Sequence, residues 1–215
     1  YAYASSFILK DGVSIFGGFR GTEESLQERI LADENQNNLE ESWEFAFPTI
    51  LTVNEEYPGQ VIFAGNEKFQ NITIIDGFTI SGGRAVGTEI DAEGGGAFLA
   101  GNCLIKNCRI IQNYARRGAG LVLLDNAEAH NCLIQANELF VDGWYGEGAG
   151  VILAGVEAKL NACLIIENGL LSKAAKLGAA GVLIENGTVD FCTICQNFST
   201  AEGSAVKLSN SNDAV

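Results

Sequence analysis

Six cysteines and one histidine are the residues of this 215-residue chain with the readiest chemistry. Cys108, Cys132, Cys163 and Cys192 recur at nearly even intervals, and each is followed five residues later by an asparagine, at 113, 137, 168 and 197. Thiols can pair as disulfides, ligate a soft metal or act as nucleophiles. Recurrence at equivalent places of a repeat argues for another role. Parallel side chains in one column make poor disulfides and pack as small buried hydrophobes. Cys192 and Cys195 spell Cys-x-x-Cys, but on a strand residues three apart face opposite ways and cannot share one metal. His130 is the only histidine, which excludes sites needing two. It falls in a mixed polar column with Asp76, Lys106, Asn161 and Asp190 that reads as solvent-facing.

A second group of candidates lies in segments of variable length. Tyr114, Arg116 and Arg117 stand in one such segment; Asp142, Trp144 and Tyr145 stand in the next. Aromatics beside arginines and carboxylates suit stacking on a sugar or anchoring a protein partner. The plainer reading of Trp144 and Phe140 is packing over a strand. Asp91, Glu93, Asp142 and Glu147 offer oxygen ligands of the kind calcium takes, and only that chemistry suggests them. Neither a phosphate-cradling loop with its lysine nor a dinucleotide glycine fingerprint is present. No cofactor and no resident metal are expected.

These residues are placed by a repeat. Each of the four Cys-to-Asn units carries Ile two after the cysteine, at 110, 134, 165 and 194; Phe78, Ile80 and Gly83 form a degenerate copy upstream. A small-small-Gly motif followed by an apolar run alternates with it, at 94–99, 118–123, 148–153 and 179–184, with a last copy at 203–208. From this glycine to the next cysteine the interval stays near twelve residues, whereas the interval from asparagine to the next glycine motif is elastic. One fixed and one variable part per period is the mark of a solenoid coil with an insertable loop. The apolar runs are short, rich in Val, Ile and Leu, and bounded by Gly, Asn and Asp, which reads as strands.

The expected fold is therefore all-β: a right-handed, single-stranded parallel β-helix with three strands per coil. Residues 1–215 are expected to form a single β-helix domain, a fragment of a longer protein. Cysteine, isoleucine and asparagine should each stack on their own kind at roughly 4.8 Å per coil. On the glycine-motif strand Leu121, Val151 and Val182 are assigned inward, and Phe98, Val122, Ile152 and Leu183 outward. A parallel sheet with two apolar faces has to be covered. Leu139, Phe140, Trp144, Leu170, Leu171 and Leu177 are the expected cover. Variable loops fall at 84–93, 114–117, 138–147 and 169–178. An acidic excursion at 22–47 breaks the pattern, with a short helix expected over Thr22 to Leu31 and a polar flap over 33–44.

The chain resembles the pectin-lyase-like β-helix superfamily, and more narrowly the repeats of bacterial polymorphic outer-membrane proteins. Gly95-Gly96-Ala97-Phe98 matches their Gly-Gly-Ala-Ile, and Ile110 to Asn113 matches their Phe-x-x-Asn, with Ile in place of Phe. The stretch from Phe7 to Glu24, followed by Pro48 to Leu51, is similar to N-terminal coils of such surface proteins. The resemblance implies the fold, a secreted or outer-membrane-surface location, and further coils or domains of the same polypeptide at one or both ends. Signatures of its enzymes, the Trp-Ile-Asp-His and Arg-x-Pro-x-x-Arg of pectate lyases, are absent.

Charge narrows the partners. The net charge is −14, and residues 1–70 hold twelve acids against four bases. Nucleic acid and anionic membranes would be repelled. No run of 18 apolar residues suggests a membrane span. The expected function is a non-enzymatic binding, adhesive or scaffolding module, taking a glycan or a surface protein on its stacked loops. The alternative is a polysaccharide lyase or glycoside hydrolase, with Tyr114 or Tyr145 as acid or base and Arg116 or Arg117 neutralising a uronate.

Overall fold

A computed structural model describes residues 6–53, 58–65, 68–140, 146–169, 179–199 and 205–209. Its strands are stacked in parallel and in register, forming the coils of a β-helix. The hand is that of parallel crossovers in general. The first sheet collects the glycine-motif strands: Phe7–Ile8, Ile62–Phe63, the start of Ala97–Lys106, Leu121–Leu124, Val151–Leu153, Val182–Ile184 and Val206–Leu208. The second runs from Ile15–Phe16 through Phe69–Asp76, the end of Ala97–Lys106, Glu128–His130 and Lys159–Asn161 to Thr188–Asp190. Thr49–Thr52, Phe78–Ser81, Arg109–Ile111, Leu133–Gln135, Leu164–Ile166 and Thr193–Cys195 make the third. One addition departs from the three-strand expectation. Arg84–Ala85, Tyr114–Ala115 and Glu138–Leu139 pair as a stub of fourth sheet, so 114–117 opens as strand rather than loop.

Like lies over like throughout the core. Ile80, Ile110, Ile134 and Ile165 are fully buried, as are Leu121, Val151 and Val182 facing them from the first sheet. Cys108, Cys132, Cys163 and Cys192 occupy successive layers; the Cys163 backbone N–H lies 3.4 Å from the Cys192 sulfur, and all four are free thiols. Burial pushes the Cys132 thiol well above the usual range, which holds it in the protonated, unreactive form. Cys195 pairs in register with Ile166 on the opposite parity from Cys192, as the strand period requires.

The glycine and asparagine motifs travel together for a steric reason. A Cβ on Gly120 would run into the Gly150 carbonyl of the next coil and would sit 2.9 Å from the Asn137 amide nitrogen. Gly96, Gly150 and Gly181 meet the next coil and Asn113, Asn168 and Asn197 in the same way. Each glycine thus makes room for the asparagine of its own coil. The turns before the third sheet need left-handed backbone: Asn107 and Asn131 have φ of 51°, and Ala162 and Phe191 have 50° and 54°.

The outward residues Phe98, Val122, Ile152 and Leu183 are buried, so the first sheet is covered on both faces as expected. The cover differs. Among the described residues Ile90 of the 84–93 segment packs there with Ala154 and Ala179, while Phe63 and Leu124 extend the apolar face itself. Leu139 belongs instead to a small cluster with Ala85, Ala115, Ala119 and Ala149 behind the fourth sheet, and Phe140 lies against Tyr114 at 5.5 Å. Trp144, Leu170, Leu171 and Leu177 lie outside the described residues.

The excursion leaves the first coil between the second and third sheets, where the third to sixth coils turn within two residues. The helix expected over 22–31 shrinks to a single 3-10 turn, Leu26–Glu28, because the carboxylate of Glu23 takes the N–H groups of Arg20, Gly21 and Thr22 into a tight local loop. From there Arg29 reaches Asp76 through two hydrogen bonds of 3.1 and 3.2 Å. Asp76 is therefore buried at 1% exposure, which corrects its solvent-facing assignment.

Candidate functional site

The best-formed surface feature grows out of the asparagine turn. Asn113 Nδ2 donates to the Ile80 carbonyl and to Asn137 Oδ1, both at 3.0 Å. Asn137 repeats this with Ile110 and Asn168, and Asn168 with Ile134 and Asn197, at 2.9 to 3.0 Å. The asparagines point in, so the residues one place on point out. These are Arg84, Tyr114, Glu138, Gly169 and Phe198, held in register by parallel pairing. Five layers at about 4.8 Å each give the column a length of roughly 20 Å.

Two adjoining depressions follow this column and share Gln112 and Tyr114. One, of about 590 Å³, runs between Tyr114, Glu138, Glu167 and Phe198; the other, of about 570 Å³, lies between Arg84, Tyr114 and Pro58. The Arg84 guanidinium sits 5.6 Å from the Tyr114 ring centroid and that of Arg116 sits 5.7 Å from Phe140, so two cations flank a tilted aromatic pair. Such cation–π stacking fixes ring orientation without using the edges that hydrogen-bond a ligand. Phe198 is 60% exposed. Burial, together with the charge of Glu138, raises the Tyr114 phenol above its ordinary pKa.

The sequence-predicted residues divide here. Tyr114 lines both depressions. Arg117 is committed elsewhere: its guanidinium binds Glu93 at 2.5 Å and Glu185 at 2.6 Å, in a ladder of alternating charge that pairs Glu93, Arg117 and Glu147 across coils. Glu147 in turn binds Lys207 at 2.9 Å. Two of the four carboxylates considered for calcium are thus neutralised by basic side chains. Arg116 faces Phe140. Asp142, Trp144 and Tyr145 lie outside the described residues. Sequence reasoning passed over Glu138 and Phe198; their signal was their place directly after the repeat asparagine.

His130 lies in the expected column, between Lys106 and Asn161, with its Nε2 2.9 Å from Glu128 but not aligned for a hydrogen bond. No family model matches the chain, and no curated protein or solved structure matches it significantly. Among the described residues no helix is long and apolar enough to cross a membrane.

Proposed function

We propose that the chain is a β-helix binding module of a secreted or cell-surface protein, whose column from Arg84 to Phe198 takes an extended glycan along the coil axis. The observation that carries this reading is the groove itself, with Tyr114 and Phe198 toward its two ends and the polar side chains of Gln112, Glu138 and Glu167 along it. Aromatic faces stack on the apolar faces of sugar rings, and carboxylates and amides accept or donate to their hydroxyls. A rise of about 4.8 Å per layer suits a polymer of similar repeat. The acidic surface favours a neutral or basic chain over an anionic one.

A glycan array probed with the wild type, Tyr114→Ala and Phe198→Ala tests it. Wild-type signal on an extended glycan should fall on the order of tenfold or more in both variants. Phe198 is exposed, so its removal leaves the fold intact. Absence of any wild-type signal, or signal indifferent to both substitutions, rejects the reading.

Catalysis on a polysaccharide stays second because Arg84 lies over Tyr114. A cation and a phenol could neutralise a uronate and move its proton. The raised pKa of Tyr114 works against a base at neutral pH. Unsaturated product released from polygalacturonate, and lost in Tyr114→Phe, would promote this reading over simple binding.

A further inference from the structure

The flap carries a spacing that the groove does not use. From Asp33 the residues run Asp33-Glu34-Asn35-Gln36-Asn37-Asn38-Leu39-Glu40-Glu41-Ser42-Trp43-Glu44. Side-chain oxygens stand at the first, third, fifth, ninth and twelfth places, and the twelfth is a glutamate. That is the ligand pattern of a twelve-residue loop for a hard divalent cation, which also takes a backbone carbonyl from its seventh residue and a sharp turn at its sixth. The sixth residue here is Asn38 rather than Gly, and it adopts the required left-handed backbone with φ of 64°. Asparagine tolerates that conformation better than other residues bearing a Cβ.

Side-chain placement is an independent observation. Glu44 is 3% exposed and lines a pocket of about 310 Å³ together with Glu34, Asn35, Asn37, Glu41 and Trp43, with Arg109, which pairs with Glu34, on the wall toward the coils. Its oxygens take the Asn35 amide at 3.0 Å and the Glu34 backbone N–H at 3.2 Å and lie against the Glu41 carboxyl, and no Lys or Arg among the described residues pairs with it. A buried carboxylate without a counter-charge is costly. Two backbone bonds close the loop at its base, Ala32 N–H to the Glu44 carbonyl at 2.8 Å and Ala46 N–H to Ile30 at 2.9 Å. Among the described residues no three Asp, Glu, His or Cys side chains gather tightly enough to hold a metal alone. Amide oxygens would therefore have to complete the shell.

We propose that residues 33–44 bind one calcium ion through Asp33, Asn35, Asn37, the Leu39 carbonyl, Glu41 and Glu44. Calcium suits the set because all donors are oxygens on a flexible loop, without the nitrogen or sulfur that would favour zinc or copper. Binding would pin the flap to the coils it already touches, where Arg109 pairs with Glu34 and Ser42 Oγ donates to the Asn131 carbonyl at 3.5 Å.

The test uses the whole chain stripped with a chelator and titrated calorimetrically with calcium chloride. Terbium luminescence sensitised by Trp43 serves as a second readout. One saturable site is expected, with a dissociation constant on the order of 10⁻⁴ M. Asp33→Asn and Glu44→Gln should each weaken it by about tenfold or more, while Glu93→Gln leaves it unchanged. Asp33 is half-buried at the loop's start, so its variant keeps the test valid if Glu44→Gln fails to fold. Absence of saturable binding up to about 10 mM calcium, beyond the weak end of such loops, overturns the proposal. So does wild-type affinity in Asp33→Asn.

Discussion

Gly120 shows how closely one atom is specified in this chain. Its missing Cβ is the space that the Gly150 carbonyl and the Asn137 amide fill, in the middle of the stack with full coils on both sides. Backbone cannot yield there without moving the next coil. Gly120→Ala should destabilise the chain by about 2 kcal/mol through overpacking, measured as a shifted urea midpoint with unchanged slope. Wild-type stability in that variant would mean the coils are looser than the geometry indicates. The same tightness explains what the sequence made legible. Column residues such as Ile134, Cys132 and Asn137 are dictated by the layer above and below, so their spacing alone placed them correctly. Asp76 was misassigned because its environment comes from Arg29, 47 residues earlier, and no repeat links the two.

At the scale of elements the flap is the least repetitive part, and there the sequence spoke least clearly. Thr22 to Leu31 suggest a short helix because Thr22 offers a cap and glutamates fill the first turn. Glu23 instead gathers three backbone N–H groups, and the segment is tied to the coils by the distant partners Asp76, Arg109 and Asn131. The letters of 33–44 spell a polar loop with a twelve-residue oxygen spacing, and it is the fold that turns Glu44 inward. Arg29 ties the flap to the helix. It stacks 4.8 Å from the Phe45 ring centroid, and its two bonds to Asp76 sit where Asp76 is 2% exposed at the side chain. Removing one partner of a buried pair strands the other, so Arg29→Ala should cost about 3 kcal/mol. Lys106, at 3.6 Å, and Asn107, at 2.9 Å, still reach the carboxylate and offset part of the loss. Adding Asp76→Asn should recover stability relative to Arg29→Ala alone. If the double variant is the weaker one in chemical denaturation, the ion pair does not anchor the flap.

Across the whole molecule, identical residues differ in worth by their place in the stack. A solenoid's stability is close to a sum over neighbouring layers, and the asparagine ladder measures it. Asn137 is 1% exposed; it accepts the N–H and Nδ2 of Asn113 and donates to Ile110 and Asn168. Alanine there leaves two donors and a carbonyl without partners in a dry interior. Asn197 accepts from Asn168 in the same way and donates to Ile165, but it is only half-buried. Water can reach the groups that Asn197→Ala would leave behind. Asn137→Ala should therefore lose about 3 kcal/mol and Asn197→Ala about 1 kcal/mol, the gap reflecting desolvated orphans more than the one additional bond of Asn137. Amide exchange should show the same contrast, with protection falling around the third to fifth coils in the first variant and only near residues 193–199 in the second. Equal losses would mean that layers do not act through their neighbours, and the groove column, which rests on those same asparagines, would lose its rigid support.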